Sequence, residues 1–198
     1  MKNQEVTAGF PSALREILVD FYARVEWSQE LAAWQAENLP NGEIVSLLPF
    51  IGMMAHCRVR FFPGRRFDFD DEGIPAIVIE VLGEDASTPV DLVAWPARRP
   101  DKFAPAIGHA AGLGVFRIRD PATYFGDEPL KVYRTPLAWL QASCDGVVIL
   151  NSITAPSWLG EALGAIAGED INHARALARL LRGYFDIARI VAPIVEAA

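Results

Sequence analysis

Cysteine, lysine and histidine are scarce in this sequence, and each scarcity closes off a chemistry. Only Cys57 and Cys144 occur among 198 residues. Two cysteines so far apart make neither a zinc-ligand spacing nor a disulfide framework, and a reducing compartment is the expected setting. Cys144 follows a predicted helix whose C-terminal end disfavours a thiolate, which argues against a nucleophile. Arginine outnumbers lysine 15 to 3. Lysine-dependent phosphate chemistry and acid-x-Lys nuclease sites therefore have almost nowhere to sit. Proline stands two residues before both Lys102 and Lys131.

The three histidines, His56, His109 and His173, fall in three different predicted elements. None has a second ligand two to four residues further on, so no metal site is expected. Positive net charge is lacking too. At −7 the chain is a poor match for a nucleic-acid backbone, and non-specific nucleic-acid binding is not expected. A long apolar run is also missing. The longest, IVSLLPFIGMMA, opens at Ile44 and closes at Ala55, is too short to span a bilayer and is interrupted by Pro49 and Gly52. No apolar signal segment follows the polar residues 1–5, so the chain reads as soluble and cytoplasmic, with no membrane partner.

What the sequence has in quantity is apolar residues, 52% of the chain, enough for a substantial core in one domain. The organising stretch is residues 74–96, IPAIVIEVLGEDASTPVDLVAWP. Residues 77–82 are apolar and β-branched except for Glu80, the pattern of a strand buried on both sides. A polar connector and a second such run, residues 90–95, follow. Residues 57–62 and 66–70 alternate at period two, placing Cys57, Val59, Phe61, Phe67 and Phe69 inward. These four strands predict an antiparallel meander.

Later the pattern becomes strand and helix in turn. A helix is predicted over residues 100–111 with Gly112 as its stop, and short strands over 115–118, 130–134 and 147–150. Thr135-Pro136 is a helix start between the last two of those strands, which predicts a parallel crossover. Helices are predicted over residues 12–25, from Ser28 to before Pro40, and over 171–182. Residues 187–192 are compatible with a last edge strand or more helix. The expected fold is α+β in one domain: an N-terminal helical segment (1–40), a central mixed sheet with crossover helices (56–150), and a C-terminal helix and tail (169–198).

No motif names a reaction. Gly108, Gly112 and Gly114 reverse the dinucleotide spacing and lie before a strand rather than after one, so a helix stop explains them better. No G-x-S-x-G elbow occurs. Glu80 is costly in an apolar strand unless paired, and Arg58 or Arg60 is the expected partner. Asp91, on the neighbouring strand, would make a metal site with Glu80 only if a third ligand joined them. The positional argument for a site uses strand ends. If the strands ending near Trp95, Ile118 and Leu150 run parallel, Arg98, Arg99, Arg119, Asn151 and Ser152 converge as binding residues for a phosphate or carboxylate.

The primary functional expectation is a non-catalytic binding or assembly protein, self-associating through Ile44 to Ala55 and requiring no cofactor. The alternative is an enzyme acting on a phosphorylated or otherwise anionic, nucleotide-related small molecule at those strand ends.

Overall fold

The computed structural model describes residues 11–25, 28–39, 52–64 and 66–192. The chain divides into two compact units, residues 1–110 and 111–198, and the fold is α+β. The central sheet expected across residues 56–150 is two sheets, an antiparallel one in the first unit and a mixed one in the second.

In the first unit α1 (Ser12–Arg24) and α2 (Gln29–Asn38) precede five strands: β1 (Met54–Phe62), β2 (Arg66–Phe69), β3 (Ile74–Leu82), β4 (Pro89–Pro96) and β5 (Ala104–Pro105). Their spatial order is β2-β1-β3-β4-β5, with every pairing antiparallel. The period-two pattern appears as expected, with Cys57, Val59 and Phe67 buried and Arg58 and Arg60 exposed. Seven consecutive residues of β3, Ala76 to Leu82, are buried. Leu14, Leu18 and Phe21 of α1 pack on one sheet face with Val59, Val78, Leu92 and Ala94. On the other face Trp34 of α2 lies against Trp95, ring centroids 6.1 Å apart. Ser28 caps α2 by accepting the Leu31 N–H at 3.0 Å.

Residues 100–111 do not form the expected helix. Pro105 would stand inside it without an N–H, and the segment instead adds β5 to the edge of β4. Most of the apolar run from Ile44 to Ala55 lies outside the described residues. Its last two residues, Met54 and Ala55, begin β1.

The second unit contains β6 (Gly112–Leu113), β7 (Leu130–Tyr133), α3 (Pro136–Gln141), β8 (Val147–Ile149), α4 (Ala155–Leu159), β9 (Ile166–Gly168), α5 (Ile171–Leu180) and β10 (Ile190–Val191). The strand order is β10-β9-β7-β8-β6. All pairings among β7 to β10 are parallel, and β6 is antiparallel to β8. The predicted parallel pairing across the 136–143 helix is present. Residues 187–192 supply a 3-10 turn and the edge strand β10. Residues 115–117 form a 3-10 turn after Gly114, whose φ of 68° is left-handed, so the strand expected there is not formed.

Leu130, Val132, Val147 and Ile166 form one core with Trp158 and Leu159 of α4 and Leu177 of α5. Trp139 of α3 is buried outside that cluster. Right-handed crossovers account for this arrangement. From β7 the chain moves one way to β8 through α3, then back past β7 to β9 through α4.

Candidate functional site at a topological switch point

Because β7 is flanked by β8 on one side and β9 on the other, the connections leaving β7 and β9 diverge beyond their C-terminal ends. Divergence at such a point opens a crevice, the usual ligand position in open parallel sheets. Arg134 immediately follows β7, and Glu169-Asp170 immediately follow β9. The Arg134 guanidinium bridges the crevice: Nη1 lies 2.9 Å from Glu169 Oε2 and 2.8 Å from Asp170 Oδ2, and Nη2 donates to Asp170 Oδ1 at 2.9 Å. Asp170 also caps α5, accepting the His173 N–H at 2.8 Å. The guanidinium and this N–H hold the Asp170 carboxyl well below the usual carboxylate range. His173 is buried, and its Nδ1 accepts the Glu169 N–H at 3.2 Å. Burial first, then the Arg134 charge, lowers the His173 pKa and keeps the ring neutral at pH 7.

The sheet face next to this crevice holds a cavity of about 820 Å³. Alternation decides its lining. Leu130 and Val132 enter the core, so Lys131 and Tyr133 take the opposite face, together with Ala167 of β9 and its flanking residues Ala165 and Glu169. Lys131 donates to Asp145 at 2.8 Å. A Cβ at Gly146 would crowd the Tyr133 ring, so glycine there admits the ring against the start of β8. Burial, with the charges of Asp145 and Glu169, pushes the Tyr133 phenol up to about 12, so it stays a neutral donor at pH 7. Asp127 and Glu128 stand exposed at the rim.

The residues singled out from sequence lie elsewhere. Arg98 and Arg99 are exposed in the turn after β4, in the first unit. The strand preceding them belongs to an antiparallel sheet, so the premise of parallel strands fails for that pair. Arg119 lies 2.5 Å from Glu161 in an ion pair. Asn151 follows β8 and turns its side chain back to accept the Ile153 N–H at 3.0 Å, with Ser152 exposed beside it. Arg134, Glu169 and Asp170 were missed because β9 was missed: it has three residues, two of them alanine and glycine, with no alternation to detect.

The two carboxylates of the first unit also differ from expectation. Glu80 is buried without an arginine. Oε1 accepts the Tyr22 hydroxyl at 2.5 Å and Oε2 accepts the Met53 N–H at 2.7 Å. Arg60 pairs instead with Asp70. Burial raises the Glu80 pKa against the lowering effect of its two hydrogen bonds. A side chain at Gly52, whose φ is 60°, would collide with the Glu80 carboxylate. Asp91, fully buried, points to the other face, since its register partner is Val81 and that of Glu80 is Leu92. Adjacent positions alternate, so the two acids do not share a site.

Asp91 receives five backbone N–H groups. Oδ1 accepts from Leu92 at 2.8 Å and Ile107 at 2.9 Å, and Oδ2 from Gly108 at 2.8 Å, His109 at 2.9 Å and Ala110 at 3.3 Å. The glycine-bearing segment is thus neither a helix stop nor an open phosphate loop. Its donors enclose a carboxylate of its own chain.

Cys57 and Cys144 are free and buried, and burial pushes their thiols up to about 11 and about 12. Neither supplies a thiolate at neutral pH. Among the described residues no cluster of three or more His, Cys, Asp or Glu is arranged to hold a metal ion, and no helix is long and apolar enough to cross a membrane. Comparisons with protein families, curated proteins and solved structures returned no match to this chain.

Proposed function

We propose that this chain is a non-catalytic binding protein whose second unit receives a small molecule beside the β7–β9 switch point. The supporting observation is the coincidence of two independent features, the divergence of crossovers around β7 and a cavity on the same two strands. Its volume of about 820 Å³ falls within the ~300–1,000 Å³ typical of small-molecule sites. The side chains around it suit holding better than reacting. Lys131 is occupied by Asp145, Glu169 by Arg134, and Tyr133 keeps its proton.

The alternative, an enzyme working on a phosphorylated or anionic substrate, would draw on strand-end arginines. Arg119 and Arg134 both already face carboxylates, which weighs against it. Self-association through the run from Ile44 to Ala55 belongs to the same binding-or-assembly reading, and Met53, 42% exposed, is the observation that favours it. Sedimentation at micromolar concentration is expected to show a dimer or larger, and a clean monomer would remove that part.

The cavity is tested by filling it. Ala167→Leu places a branched side chain on its floor. A fragment screen by ligand-observed NMR on the full chain should give binders to the wild type that the variant loses. A hit set indifferent to Ala167→Leu would refute the site.

A further inference from the structure

We propose that the ligand of this cavity is a small organic cation, an ammonium or guanidinium carried on an apolar body; the inference rests on the small-molecule reading above. The argument is one of charge and surface together. Three carboxylates line the cavity, Asp127, Glu128 and Glu169, against one cation, Lys131. Lys131 is held by Asp145 and also feels the Glu128 charge, and Glu169 is held by Arg134, so the exposed Asp127 and Glu128 leave the lining net acidic. An anion would face these two charges and Glu169 in the lining. A cation would be drawn in by them, the more strongly as the cavity walls exclude water.

The floor selects the rest of the molecule. Ala167 leaves room for an apolar body where a larger residue would fill the space, and its buried methyl offers no hydrogen bond to compete with water for a polar one. Tyr133 lines the same space, and its aromatic ring and phenolic oxygen are the groups that would receive a cation and an N–H donor. A monovalent organic cation uses both features. A metal ion would leave the apolar floor unused, and a phosphate would be repelled by the acidic lining.

Three probes of matched shape separate charge from body: phenethylammonium, phenethyl alcohol and phenylacetate. Isothermal titration or NMR shift mapping on the full chain should rank them in that order. Asp127→Asn and Glu128→Gln, both at exposed positions, should each weaken phenethylammonium roughly three- to fivefold and leave phenethyl alcohol unchanged. Ala167→Leu should abolish its binding, and Ala165→Leu, at the lining residue just before the same strand, is the second filling variant should the first not fold. A filling-sensitive site that prefers the alcohol or phenylacetate overturns the cation while leaving the cavity as a binding site. Phenethylammonium binding that ignores both filling variants is attraction to an acidic surface, and it overturns the site as well. Absence of saturable binding by all three probes also overturns the cation.

Discussion

Asp91 and Glu80 are neighbours in register across β3 and β4, yet their burial is resolved in opposite ways. Asp91 is surrounded by donors. Removing its carboxylate in Asp91→Ala strands up to five backbone N–H groups in the interior. The expected loss is on the order of 4 kcal/mol, a large part of a typical folding free energy, read as a fall in the denaturation midpoint. Glu80 has two donors and a burial penalty, which together leave its pKa raised. A raised folded-state pKa means the folded form holds its proton longer than the unfolded one. The stabilising contribution is therefore full below the ordinary value of 4.5 and is lost as pH rises through the folded value. Glu80→Gln mimics the protonated acid, with an oxygen for the Met53 N–H and an amide for the Tyr22 oxygen. Stability measured by denaturation from pH 4 to pH 9 should fall less with pH in the variant than in the wild type. Parallel profiles would show that Glu80 does not titrate in this range. The sequence identified both acids as unusual. It could not name their partners, because a hydroxyl 58 residues away and a run of loop amides leave no spacing to read.

At the scale of elements, legibility followed periodicity. The four long strands of the first unit alternate or run apolar over four to nine residues, and all four were readable. Helix α3 announced itself through Thr135-Pro136, and Thr135 accepts the Ala138 N–H at 3.1 Å. The failures were short elements. The two-residue β5 carries a proline, α4 has five residues, and β9 has three. Elements this short are fixed by what they pack against rather than by their own composition. Gly146, at the entry to β8, illustrates such dependence. Its φ is 130°, an added Cβ would collide with the Lys131 carbonyl oxygen, and its own carbonyl accepts the buried Trp139 indole N–H at 2.9 Å. Gly146→Ala should cost about 2 kcal/mol or more through backbone strain and the displaced β7–β8 pairing. Chemical denaturation tests this directly, and an unchanged midpoint would show that the turn adapts freely.

At the scale of the molecule, the two units have separate sheets and separate cores. Cooperative opening follows such boundaries. Hydrogen exchange of Gly146→Ala should therefore show lost amide protection across β7, β8 and β9 while β1, β3 and β4 keep theirs. Equal loss in both units would mean that they unfold as one. The two-unit division also explains why the candidate site was illegible. Reading one sheet from residue 56 to 150 put Arg98 and Asn151 on the same strand ends, whereas the sheet with parallel strands begins only after residue 110. With β9 unrecognised, no order could be assigned around β7. Glu169 and Asp170 then stand only as the two residues before the helix predicted over 171–182.

The carboxylate enclosed by residues 107–110 makes the first unit its own guest and host. Severing the guest from the chain should leave a vacant receptor of matching charge and size. In Asp91→Gly, where β-carbon and carboxylate are both gone, formate supplies two oxygens without a stem. Millimolar formate should restore part of the stability lost by that variant, and chloride at equal ionic strength should not. The wild type, with the seat taken, should respond to neither.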